Sequence, residues 1–363
     1  AILTSMFNAP DWLTYLKVRG SYTEVGNSYG RFMTTVTYPY DEQTQSWTST
    51  SSYPNTKLKP ERTKSWEVGL DARILNDISL NLTYYRSNTY NQTFYADLSL
   101  SSGYSNIPIQ SGNIMNEGLE MSLGYNKQWK DFSFNTNYTL TWNKNRVKRL
   151  ADGVYNYATG QPIQMPELSP LTYGHTDARL ILRVGGSMGD VYGQRLLKRD
   201  LNGYILNEEG VGLAMENKET YLGSILPKMN MGWSLGFGYK GVNLGMTFTG
   251  RFGGIVISET QSVLDAAGVS KVSADVRDAG GVQINQSKVS AQTYYQTIQG
   301  TAAYYTYSAT NVRLGELSLS YTLPKKWFDN KVGMTVGLVG KNLWMIYCKA
   351  PFDPELTTSA ASN

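Results

Sequence analysis

The chain is poor in the side chains that most enzymes use for chemistry. Its 363 residues include a single cysteine, Cys348, and a single histidine, His175. One cysteine excludes an internal disulfide and any multi-cysteine metal site, so redox and structural-zinc functions have no footing. No Ser, Asp or Cys near His175 makes a recognisable nucleophile arrangement, and no catalytic residue is expected. Charge is scarce too, at 17% of residues. The 33 basic and 29 acidic residues are scattered, too evenly for a nucleic-acid footprint. The one dense run, Lys144–Arg149 (KNRVKR), reads as the solvated tip of a strand. No window reaches the ~20 apolar residues of a membrane helix. The opening AILTSMF lacks the basic start of a signal peptide, so an export signal, if there is one, lies outside this chain. The glycines at 185, 186, 189 and 193 are not followed by Lys-Ser/Thr and do not make a phosphate loop.

What is abundant is tyrosine, 27 residues, and glycine, 35, a composition that favours strands and turns. Alternation supplies the pattern. In WKDFSFNTNYTLTWN (129–143), Phe132, Phe134, Tyr138, Leu140 and Trp142 alternate with Ser133, Asn135, Asn137, Thr139 and Thr141. The same period of two runs through 64–75, 78–95, 113–128, 228–239, 242–254, 310–323 and 332–346, with a further strand at 12–25. Alternation alone says that one face is apolar and the other polar. Three features point to a membrane barrel, with lipid on the apolar face and a lumen on the polar one. The strands are long. Aromatic residues cluster near strand ends (Trp66, Trp129, Trp142, Tyr239, Trp327, Trp344), as a girdle requires. Short turns at 75–77, 129–131, 240–241 and 325–331 alternate with long excursions at 26–63, 96–112, 150–227 and 255–309. Short turns belong to the periplasmic side and long loops to the outside, so the nine strands start inside and end outside. An odd set of this kind cannot close a barrel by itself. Further strands are expected before Ala1, and at least one after Asn363.

Several stretches resemble the SusC/RagA family of TonB-dependent outer-membrane transporters. They are LKVRGSYTEVGNS (16–28), NTKLKPERTKSWEVGLDARILNDISLNLTYYRSNTYN (55–91), SGYSNIPIQSGNIMNEGLEMSLGYN (102–126), GGSMGDVYGQR (185–195), LPKMNMGWSLGFGYKGVNLGMTFTGRFGG (226–254), NVRLGELSLSYTLP (311–324) and GKNLWMIYCKAPFDPE (340–355). They span nearly the whole chain in the family's order. The resemblance implies an all-β antiparallel transmembrane barrel of 22 strands, of which this chain is the C-terminal portion. The plug domain and the final strand would lie outside 1–363. It also implies a place in the outer membrane, coupling to the TonB complex through N-terminal segments absent here, and a SusD-like surface lipoprotein acting as a lid. The ligand implied is an oligosaccharide, or an oligopeptide in importers with the same barrel. No enzyme activity is expected. Where many relatives carry an acidic glycine-rich run resembling a calcium loop, this chain has RDLNGYILNEEG (199–210), with Tyr204 in place of the third oxygen donor. A surface turn is the reading there, with no metal and no cofactor.

The expected recognition surface is aromatic. Trp47, Tyr53, Tyr104, Tyr155, Tyr157, Tyr304, Tyr305 and Tyr307 lie in the long loops, where rings stack on sugars or pack on peptide side chains or the lid. Glu67, Asp71, Arg73, Glu120 and Arg313 fall on the polar, lumen-facing positions. Rival readings are a passive porin or secretion barrel, which a plug would exclude, a soluble β-sandwich binding module, which would need no detergent, and an outer-membrane enzyme.

Overall fold

The structure is a computed structural model that describes residues 2–7, 9–48, 50–110, 112–150, 167–208 and 212–355. Nine long strands form one antiparallel sheet in simple chain order. They are β1 (Leu13–Asn27), β2 (Glu61–Ile74), β3 (Ile78–Tyr90), β4 (Asn113–Trp129) and β5 (Phe132–Arg149). The sheet continues with β6 (Met229–Tyr239), β7 (Val242–Phe252), β8 (Asn311–Thr322) and β9 (Thr335–Cys348). All nine expected strands are present. The sheet is open, with β1 and β9 as its edges.

Register keeps each face uniform. From Phe132↔Tyr239 to Trp142↔Met229 the β5–β6 pairing runs without a slip, so Tyr138 lies opposite Trp233, and Asn137 opposite Ser234. One slip would put the amides on the apolar face. Val68, Leu123, Trp233, Leu319, Val336 and Leu338 are exposed on that face, as a surface made for lipid must be. The ten steps from Phe132 to Trp142, at ~3.4 Å each and a tilt of ~40°, rise about 26 Å, close to the apolar band of ~25 Å. β5 is 18 residues long, so its last turn-free stretch stands above that band.

The short connections are left-handed turns. Leu75 (φ 51°) and Asn76 (φ 59°) close β2–β3, and Lys240 (φ 47°) with Gly241 (φ 90°) closes β6–β7. At Gly241 a Cβ would lie 2.8 Å from the Thr322 carbonyl oxygen, so the turn needs glycine for space as well as for φ.

Two expectations change at the long-loop end. The stretch 78–95 is not one strand. It breaks at Asn91 (φ 56°), and Thr93–Asp97 pairs instead with Asn106–Gln110 as a separate hairpin. The excursion 255–309 is not plain loop but carries α1 (Glu259–Ala266), α2 (Lys271–Asp278) and α3 (Ala291–Ile298). Ser258, Ser270 and Ser290 cap them, each hydroxyl accepting an amide from Gln261, Ser273 or Thr293. The β5–β6 excursion contributes a four-stranded sheet, Glu167–Thr172, Ala178–Arg183, Asp190–Leu197 and Met215–Ser224.

The buried core lies in these loops. Ile109, Val147, Leu150 and Leu182 join the 93–110 hairpin, the end of β5 and the loop sheet. Ala178, Val191, Ile257 and Ala302 join the loop sheet to the helical excursion. Leu197, Leu213, Ile284, Tyr295, Ile298 and Tyr305 form a third cluster around α3. A barrel strand buries its apolar side in lipid, whereas a loop in water must bury it against another loop.

Candidate functional site

The polar face and the loop assembly above it form the candidate site. On the polar face, Arg19 of β1 reaches across β2 to donate to Thr83 at 2.6 Å and pairs with Asp71 at 3.6 Å, while Asn81 donates to Asp71. Tyr85 donates to Asn143 at 3.1 Å. Its ring lies over Gly118, where a Cβ would meet the ring and the Trp142 carbonyl at 2.5 Å, so glycine leaves room for the aromatic plate. Glu67, Asp71, Arg73 and Glu120 share this face by register. Asp71 is half-buried in the Arg19 network; Glu67, Arg73 and Glu120 are exposed. The wall is thus hydrophilic and fixed by side-chain hydrogen bonds.

Arg313 is a different case. It sits at the outer end of β8, 7% exposed, and its guanidinium donates to Asp353 at 2.8 and 3.0 Å, with Glu355 at 3.3 Å. Asn311, fully buried, donates to Glu355 and accepts from Arg313, each at 3.3 Å. The segment after β9 therefore folds back as a hook onto β8, and Tyr307 closes edge-on against Phe352 at 5.6 Å. Arg313 meets these carboxylates rather than an open channel. The carboxyl of Asp353 is held below the usual carboxylate range, first by Arg313 and then by the Glu355 amide.

The aromatic candidates separate into three groups. Trp47, 72% exposed, packs edge-on against Tyr40 at 5.0 Å on the tiny hairpin Tyr40–Asp41/Ser46–Trp47. Tyr53 and Tyr104 meet edge to face at 5.1 Å, where the Tyr53 amide donates to Asn106 across two loops. Trp47 and Tyr53 present aromatic surface outward, while Tyr104 is half-buried against Tyr53. Tyr304 and Tyr307 are half-buried against the α3 cluster. Tyr305 is 2% exposed inside it, with burial pushing its hydroxyl well above the tyrosine range. Tyr305 therefore belongs to the loop core rather than the recognition surface, because its ring is what α3 folds around. Tyr155 and Tyr157 lie outside the described residues.

A polar lock ties the two large loops together. Asp177 accepts from the Ala302 amide at 3.0 Å and from Arg195 Nε at 3.3 Å. His175 takes the Asp177 amide on Nδ1 at 3.0 Å, which leaves Nε2 protonated to donate to the Gln299 carbonyl at 2.9 Å. Its ring stacks on Tyr305, with centroids 6.3 Å apart. The lone histidine is a structural clasp. Nearby, Asp200 spends Oδ1 on the amides of Asn202 and Tyr204, closing a turn of its own chain. Among the described residues no group of three or more His, Cys, Asp or Glu side chains is placed to hold a metal.

Sequence reasoning missed one cluster. Arg183 pairs with Glu219 at 2.5 Å and lies 4.4 Å over the Tyr192 ring, which meets Tyr221 at 5.3 Å. Tyr221 donates to Asp190 at 3.2 Å, and burial with that carboxylate pushes its hydroxyl up to about 12. Only cross-strand pairing in the loop sheet brings these residues together, so no local spacing could have marked them.

The comparisons agree on what this architecture is. The family described as TonB dependent receptor-like, beta-barrel, matches residues 6–343. TonB-dependent receptor P3 of Formosa agariphila is 25% identical over 374 residues, covering 94% of this chain and 36% of the relative. TonB-dependent receptor SusC of Bacteroides thetaiotaomicron is 27% identical over 154 residues, 42% of this chain and 14% of its own length. A solved structure of the RagAB peptide transporter superposes with a TM-score of 0.72 at 21% identity, covering 97% of this chain and 39% of that one. The chain spans little more than a third of the length of P3.

Proposed function

Because this chain belongs to the TonB-dependent receptor β-barrel family, whose members sit in the outer membrane, we propose that it forms nine adjacent strands of an active importer of oligosaccharides. The remaining strands and the plug would come from segments beyond this chain. A SusD-like surface lipoprotein would close over solute held at the outer rim, and the plug would shift when the TonB complex pulls on it. The observation that carries the reading is the set of exposed rings Trp47, Tyr40 and Tyr53, with the half-buried Tyr104 backing Tyr53, in the loops above a polar wall. Planar rings with a hydroxyl or indole N–H suit sugar faces and their hydroxyls.

The test uses the complete receptor with its lipoprotein, purified from outer membranes in mild detergent. Mass spectrometry identifies bound solute, and binding of that solute is compared between wild type and a Trp47→Ala/Tyr53→Ala variant. Loss of one stacked ring typically costs ~0.5–1.5 kcal/mol beyond area, so the pair is expected to weaken capture roughly tenfold or more. Co-purified peptides in place of glycans would overturn the substrate class. Unchanged affinity in the variant would remove these rings from the site.

A further inference from the structure

The basic run at the end of β5 is not spent at a loop tip. Lys144 and Arg146 continue the alternation of Tyr138, Leu140 and Trp142, so they leave the sheet on the lipid side, just above the apolar band. Register extends the row across the sheet. Lys144 lies opposite Glu117, Glu117 opposite Arg86, and Arg86 opposite Trp66. One step further out, Arg146 lies opposite Met115 and Lys64 opposite Glu24. Arg62 and Lys148 complete the strip, which spans about 19 Å across five strands at ~4.8 Å spacing.

Its charge is unbalanced. Glu24 faces Arg62 at 3.4 Å and Lys64 at 3.6 Å, and Glu117 faces Lys144 at 3.9 Å. Such exposed pairs bind weakly. Among the described residues no carboxylate pairs with Arg86, Arg146 or Lys148; Arg146 gives only its Nε, to the Gly185 carbonyl at 3.3 Å. Six cations thus stand against two carboxylates.

We propose that the outer ends of β2–β5 bind phosphate-bearing lipid headgroups of the outer leaflet, with Arg86, Lys144 and Arg146 meeting the phosphates. The occupant is a lipid rather than a soluble anion because the strip is continuous with the apolar face. A headgroup held there lays its acyl chains on Val68, Leu82, Leu119 and Leu140 directly below. Charge-assisted bonds from guanidinium and ammonium groups supply the selectivity for phosphate.

The complete receptor in detergent tests this. Lipid adducts are counted by native mass spectrometry after adding lipid A or phosphatase-treated lipid A, with inorganic phosphate as a third arm. Wild type is expected to bind phosphorylated lipid A at least tenfold more tightly than the treated form. Arg86→Gln/Lys144→Gln/Arg146→Gln should lose that preference, and Lys130→Gln/Lys240→Gln at the short-turn end should keep it. Heat-modifiable gel mobility reports folding, and if the triple variant fails to fold, single Arg86→Gln is expected to lower the preference severalfold. Equal binding of both lipids by wild type, or an unchanged preference in the folded variants, overturns the proposal. Inorganic phosphate competing as strongly as lipid A would also overturn it, since the site would then read a free anion.

Discussion

Replacing Arg313 tests the hook at the outer rim most directly. Removing one partner of a buried ion pair costs ~3–5 kcal/mol, because the charge left behind stays desolvated. Here the side chain of Asp353 is 28% exposed and that of Glu355 41%, so water screens part of the loss and about 2 kcal/mol remains. Arg313→Lys keeps the charge but loses the two-pronged geometry, at about 1 kcal/mol. The loss falls on docking of residues 349–355, not on the barrel. Lys349 begins that segment, so trypsin cleavage after it, read by mass spectrometry on the intact receptor, follows the opened fraction. Cleavage should run roughly 30-fold faster in Arg313→Ala and roughly fivefold faster in Arg313→Lys. Acid gives an independent arm. A carboxyl whose folded pKa is lowered contributes its full stabilisation above the unfolded value of ~3.9 and loses it as pH falls through the lower folded value. Opening of the wild-type hook, followed with pepsin below about pH 4, should therefore rise as pH falls, and Asp353→Asn should flatten that rise. A cleavage rate within twofold of wild type for Arg313→Ala would refute the reasoning.

The loop lock and the loop core give two further predictions. Asp177→Asn leaves the half-exposed Arg195 without its carboxylate and should loosen the two loops by about 2 kcal/mol, seen as roughly 30-fold faster hydrogen exchange at residues 299–302 with barrel mobility on gels unchanged. Tyr305→Ala opens a cavity in the α3 cluster at ~3–5 kcal/mol. Tyr305→Phe should be neutral or mildly stabilising by local exchange of α3, because the buried hydroxyl has no partner among the described residues. A loss of 2 kcal/mol or more in Tyr305→Phe would mean that the hydroxyl is bonded, contrary to the packing described.

How far the sequence reached differs between barrel and loops. Every barrel strand was legible, because a strand between lipid and a polar lumen must alternate at every step. The alternation of Phe132 to Trp142 and of Met229 to Tyr239 states the face, the register and the length together. The turns at 130–131 and 240–241 were legible for the same reason, as two residues between long alternating runs leave one connection. The polar-face candidates Glu67, Asp71, Arg73 and Glu120 followed from parity alone. The loops were not legible, since their order comes from packing between segments far apart in the chain. Nothing near Tyr305 in the sequence distinguishes it from the surface-exposed Tyr53, and only the cluster with Leu197, Leu213 and Ile298 buries it. Arg313 read as lumen-lining by parity until the hook, 40 residues later, brought Asp353 onto it. The sequence by itself determined the strand order, the two faces and the direction of every crossing, because lipid imposes a period of two on each strand separately. Tertiary structure alone decided which loop aromatics point outward and how the charges above the girdle line up, because those depend on which strands become neighbours.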